Sequence, residues 1–133
     1  MLERIEQLEA NIASLKVFAK DHSLEAIRKN RFDEWALRYG LLESIQILID
    51  LSCHLVSRFN LGSVKTYADC IENLREHSYI SDSLSERLVS MIGLRNLLVH
   101  EYSKIDLEKL YGYLEFTRDF SEFIRQIEKV LES

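Results

Sequence analysis

The chain has 133 residues, 47% hydrophobic and 29% charged, which suffices for one buried core and one domain. A net charge of −5 excludes a general nucleic-acid coat, because such binding runs on many phosphate contacts from a basic face, yet it leaves room for a nuclease with a small local pocket. Proline is absent, glycine occurs four times and Asn-Gly or Asp-Gly hairpin signals are missing, so an all-α fold is expected.

In chain order, Ile5, Leu8, Ile12, Leu15 and Ala19 alternate spacings of three and four and mark a first helix. Its start, MLERIEQLEA, is acidic and amphipathic, without the basic-then-apolar order of a signal peptide, and no window nears ~18 uninterrupted apolar residues. A cytoplasmic protein is expected. Lys16, Lys20, Arg28, Lys29 and Arg31 alternate with Asp21, Glu25, Asp33 and Glu34, a solvated face rather than an RNA track. Ser23 caps a second helical run from Leu24 to Phe59, bent at Lys29-Asn30-Arg31, which forms the central helix.

Asn60-Leu61-Gly62-Ser63 predicts a stop with Gly62 as left-handed cap and Ser63 as the next N-cap, followed by a third helix over about Val64–His77. Ser83-Leu84-Ser85-Glu86 reads as a capping box opening a fourth helix that frays near Tyr102. Asp106 is expected to cap a last helix carrying Leu107, Leu110, Leu114, Ile124, Ile127 and Leu131. Five helices with short connections make a compact up-and-down bundle. Cys53 and Cys70 form no CxxC pair and read as reduced thiols packed as small hydrophobes.

The fourth helix ends in RNLLVHEY, Arg95 to Tyr102. At ~100° per residue, Leu88, Met91, Ile92, Leu98 and Val99 share one side with Arg95 and Tyr102, while Leu94 and Leu97 point the opposite way. A helix apolar almost all round suits a core on one face and a second subunit on the other, so a homodimer is expected. A guanidinium cannot be deprotonated and is costly to bury unless an anion meets it. Asn96 and His100, four apart, allow the amide to orient the imidazole. Arg95 and His100 diverge by ~140° on an ideal helix and converge on one phosphate only if the helix unwinds at His100 or a second subunit supplies the partner. Against a site stands the plainer reading of a helix-end histidine as a cap.

On the central helix, Glu43, Gln46, Asp50, His54 and Ser57 share a side. Asp50 and His54 have metal-ligand spacing but no third partner, and Cys53 and His54, being adjacent, point apart, so neither a metal site nor cysteine nucleophilic chemistry is favoured.

The spacing of Arg95, Asn96, His100 and Tyr102 resembles the RX4HXY signature of the HEPN superfamily, in particular the HepT-like toxins paired with minimal nucleotidyltransferase (MNT, MntA-like) antitoxins. The resemblance extends to the run ending Asp50-Leu51-Ser52-Cys53-His54, to Tyr67-Ala68-Asp69, and to Ile105-Asp106 with Leu110-Tyr111. The family commonly has an acidic residue one turn before the aspartate; Gln46 stands there, leaving Glu43 or Asp50 as possible acidic helpers. The resemblance implies a metal-independent endoribonuclease toxin of a type VII-like toxin-antitoxin system, acting without a cofactor on structured RNA such as tRNA. His100 would move protons, Arg95 would stabilise the phosphorane, Asn96 would position, and Tyr102 would line the pocket and accept AMP from the cognate nucleotidyltransferase antitoxin. The alternative is a non-catalytic module in which Arg95 and His100 hold a nucleotide or a partner's phosphate.

Overall fold

The computed structural model describes residues 1–132, apart from the side chain of Tyr102. Among the described residues there are helices and turns only: α1 (Leu2–Asp21), α2 (Leu24–Arg28), α3 (Arg31–Arg58), α4 (Tyr67–Glu76), α5 (Asp82–His100), α6 (Leu107–Gly112) and α7 (Phe116–Leu131). Single 3-10 turns follow α5 (Tyr102–Lys104) and α6 (Tyr113–Glu115). The expected all-α bundle is present, with two of its five helices interrupted.

The first interruption is local chemistry. Asn30 accepts from the amides of Phe32 and Asp33, so it starts a new helix where a bend was expected, and Ser23 caps the short α2 through Ala26. The second divides the last helix at Tyr113–Glu115, where Tyr113 and Phe116 stack; Asp106 begins α6 without a side-chain bond.

The caps between α3 and α5 depart from expectation. Asn60, not Gly62, takes the left-handed conformation (φ 53°), and the Leu61 amide donates back to the Val56 carbonyl at 3.0 Å in a Schellman turn. Asparagine tolerates this geometry because its short polar side chain bonds locally. Gly62 has φ 155°, and a Cβ there would meet the Asn73 carboxamide. Helix α4 starts at Tyr67, three residues later than predicted, because Thr66 and Asp69 form a reciprocal capping box that Ser63 has no part in. The amides of Lys65 and Thr66 hold the Asp69 carboxyl below the ordinary carboxylate range. The N-cap of α5 is Ser81, accepting from Leu84; Ser83 instead accepts from Arg87.

Helix α3 lies at the centre, packed against α1, α2, α4, α5 and α6. It is the one described helix long and apolar enough to span a membrane, but more than half of its most apolar stretch is buried within the bundle. Gly40 lets α1 approach closely, since a Cβ there would sit 3.1 Å from Leu15. The stripe Ile5, Leu8, Ile12 and Leu15 is buried as expected, and Lys16, Lys20, Arg28, Lys29 and Arg31 are all exposed.

The cysteines overturn the expectation of free thiols. Packing of α4 on α3 brings Cys53 and Cys70 to a Cα separation of 5.0 Å, and they form a disulfide, a pairing that a reducing compartment opposes.

Phe120 and Phe123 are fully buried where α7 meets the bundle. Phe120→Ala is therefore expected to cost about 3–5 kcal/mol, read as a lower urea midpoint at unchanged slope. A loss under about 1 kcal/mol would contradict this packing.

Candidate functional site

Helix α5 reaches its motif with a wide apolar arc, because it packs on α3, α4 and α7. Leu84, Leu88, Met91, Leu94 and Leu98 enter the core. Leu94 thus faces inward rather than toward a partner, Leu97 and Ile92 are half-buried, and Val89 and Val99 are exposed, which corrects the opposing faces expected from the sequence.

Arg95 sits half-buried at the edge of this arc. Its Nε donates to Gln46 Oε1 at 3.0 Å, its Nη1 donates to Asn96 Oδ1 at 3.1 Å, and its guanidinium carbon lies 5.2 Å from the Tyr67 ring centroid. All three partners are neutral. No carboxylate pairs with Arg95 among the described residues. The closest link to one is indirect, since Gln46 Nε2 donates to Asp50 Oδ1 at 2.9 Å. Gln46, which the sequence marks both as part of the polar side of the central helix and as a departure from an acidic pattern, is thus the spacer between cation and carboxylate. Amide and ring contacts offset part of the desolvation of a guanidinium but leave its charge uncancelled.

Asn96 is turned toward Arg95, and no hydrogen bond joins it to His100 among the described residues. His100 is the last residue of α5 and is exposed. The Glu101 amide still donates to the Leu97 carbonyl at 2.8 Å, so α5 does not unwind before His100. Within one chain the ~140° divergence of Arg95 and His100 therefore stands. The Tyr102 side chain lies outside the described residues.

Of the two acidic candidates, Asp50 belongs to the Arg95–Gln46–Asp50 chain, whereas Glu43 is committed to α1. Asn11 Nδ2 donates to Glu43 Oε1 at 2.9 Å, and this bond, with one from Tyr39, lowers the Glu43 pKa. His54 is half-buried; burial foremost, then the positive charges of the amino terminus, Arg4 and Arg58, lower its pKa. Ser57 is exposed. No group of three His, Cys, Asp or Glu side chains suited to a metal ion occurs among the described residues.

Two features escaped the sequence reading. One is the Tyr67 ring beneath Arg95, a contact between helices with no local signature. The other is a row on α3, Phe32, Trp35, Tyr39, Leu42 and Gln46, whose 3-4-3-4 spacing was legible. Phe32 is 73% exposed, Trp35 49% and Tyr39 63%, so an aromatic surface leads along α3 to the residue that holds Arg95.

Residues 8–130 match the family model described as ribonuclease HepT-like. The chain is 37% identical over 95 residues to a provisionally assigned RNase of Archaeoglobus fulgidus, covering 71% of each. It is 28% identical over 102 residues to the tRNA nuclease HepT of Aphanizomenon flos-aquae, covering 75% of this chain and 69% of that one. To the mRNA nuclease HepT of Shewanella oneidensis it is 31% identical over 86 residues, covering 64% and 65%. Its fold is similar to that of a tri-AMPylated Shewanella oneidensis HEPN toxin solved in complex with an MNT antitoxin, at a TM-score of 0.87, 23% identity and 96% coverage of both chains.

The Gln46 contact is testable directly. In Gln46→Leu, exchange of the Arg95 Nε proton with water is expected to rise about tenfold, the equivalent of ~1.4 kcal/mol for one charge-assisted hydrogen bond. Unchanged exchange in nitrogen-15 spectra would show that Gln46 does not hold the guanidinium.

Proposed function

This chain belongs to the HepT-like ribonuclease family, and on that footing we propose that it is a metal-independent endoribonuclease toxin, held in check by a nucleotidyltransferase antitoxin. The observation that carries the proposal is the half-buried Arg95, held by Gln46, Asn96 and Tyr67 with no carboxylate to neutralise it. A charge so kept is matched by a substrate phosphate.

His100 accepts the proton of a ribose 2′-hydroxyl as that oxygen attacks the adjacent phosphorus. Arg95 stabilises the charge on the pentacoordinate phosphate. The bond to the 5′-oxygen breaks, the leaving oxygen takes a proton from an imidazolium, and the products are a 2′,3′-cyclic phosphate and a 5′-hydroxyl. Asn96 keeps the guanidinium in register. Structured RNA, tRNA first, is the substrate class, and a single cationic groove suits a protein of net charge −5 because few phosphates need contacting.

The functional unit is a homodimer. The exposed Phe32–Trp35–Tyr39 row, with Val99, gives a second copy an apolar surface beside the motif. Since α5 stays helical through His100, the second copy also supplies the geometry one chain lacks, pairing the Arg95 of one subunit with the His100 of the other.

Tyr102 is the site of control. AMP joined to its hydroxyl, with loss of pyrophosphate from ATP, brings a phosphodiester near Arg95 and blocks RNA by sterics and like charge.

Arg95→Ala and His100→Ala are each expected to slow RNA cleavage by on the order of a hundredfold or more with the fold intact, and excess EDTA is expected to leave the parent's rate unchanged. Cleavage by purified His100→Ala at the parental rate would refute the mechanism. Light scattering should show a dimer at micromolar concentration and a monomer for Trp35→Glu; a parental monomer refutes the assembly. Incubation with the partner nucleotidyltransferase and ATP should add AMP to the parent and none to Tyr102→Phe, by intact mass; modification elsewhere, or without loss of cleavage, refutes the control.

A further inference from the structure

Beside the Arg95 cluster, α3, the loop before α4, α4 and α5 line an open cavity of about 480 Å³, within the ~300–1,000 Å³ of small-molecule sites. Its apolar walls are Val64, Tyr67, Ile92 and the Cys53–Cys70 disulfide, and its polar groups include Lys65 and Asn96. Tyr67 and Asn96 are two of the three side chains that touch the Arg95 guanidinium, so a ligand here lies one side chain away from the cation. Tyr67 is 39% exposed and offers an aromatic surface. Asn96 has its oxygen engaged by Arg95, while its Nδ2 carries no hydrogen bond among the described residues. The cavity thus combines an aromatic plane, apolar walls and two donors, the Asn96 amide and the Lys65 ammonium.

We infer that this cavity receives the nucleobase of the ribonucleotide whose phosphate Arg95 binds, a proposal that rests on the ribonuclease reading. Single-stranded RNA is recognised by splaying out a base, stacking it on an aromatic ring and bonding its edge. Every base carries ring-nitrogen or carbonyl acceptors that the Asn96 amide and Lys65 satisfy. Other cavities fit less well. A larger one, about 840 Å³, is lined by Arg87, Arg118 and Lys109 but also by Glu115, Asp119 and Glu122, with Arg87 bound to Asp119 at 2.7 Å.

The test uses the full-length His100→Ala protein, so that binding is read without cleavage. Calorimetric titration with nucleoside 3′-monophosphates is compared with inorganic phosphate and ribose 5-phosphate. Nucleoside monophosphates are expected to bind at least tenfold more tightly than the base-free probes. Val64→Trp, which fills the cavity from an exposed loop, should remove that increment, as should Tyr67→Ala, whereas Tyr67→Phe should keep it. Equal affinity for base-free and base-bearing probes, an increment that survives Val64→Trp, or no binding of any probe would overturn the inference. If phosphate binding depends on Arg95 and the base adds nothing, the subsite alone falls; if His100→Ala still cuts RNA, the ribonuclease reading falls whatever the titration gives.

Discussion

A permanently charged guanidinium held by neutral partners is the constraint from which the rest of the site follows. Placing Arg95 at the edge of an apolar arc costs hydration, and two amide oxygens and an aromatic ring return only part of it. An acidic residue at position 46 would neutralise the charge at once. With glutamine there, the carboxylate of Asp50 is one hydrogen-bonded step further away, and the charge of the guanidinium is left uncancelled.

The bundle serves this arrangement through α3. One side of the helix fills the core with Leu37, Leu41, Ile45, Leu48, Leu51 and Leu55. The other supplies Gln46 to Arg95, Glu43 to α1 and Cys53 to α4, so three neighbouring helices take their register from one element. The Schellman turn at Asn60 and the capping box at Thr66–Asp69 then set Tyr67 under the guanidinium. Toward its N-terminus the same face of α3 leaves Phe32, Trp35 and Tyr39 uncovered, the surface proposed for a second copy.

Much of this was legible in the sequence. Periodicity gave the helices and the buried stripe of α1, and the position of Arg95 among leucines marked it as an unusual arginine. What failed were choices between near-equivalent local signals. Several serines and threonines precede α4 and α5, and only packing selects Thr66 over Ser63, or Ser81 over Ser83. Likewise Asn60 and Gly62 both suit a left-handed cap, and the turn took the asparagine. The disulfide could not be read from spacing, because it depends on how α4 lies across α3. The burial of Leu94 was misjudged because an ideal wheel assumes one packing partner where α5 has three, α3, α4 and α7. Tyr67 was visible as part of a motif, but its partnership with Arg95 is a property of the tertiary fold.

The account rests most heavily on Arg95 and His100 from different copies acting on one phosphate, and subunit complementation measures that directly. Arg95→Ala and His100→Ala proteins, each inactive alone, are mixed, dissociated and reassembled. Half of the dimers are then mixed, and each mixed dimer has one intact site of two, so about a quarter of the parental cleavage rate should return. A mixture no more active than either variant alone would contradict the shared site.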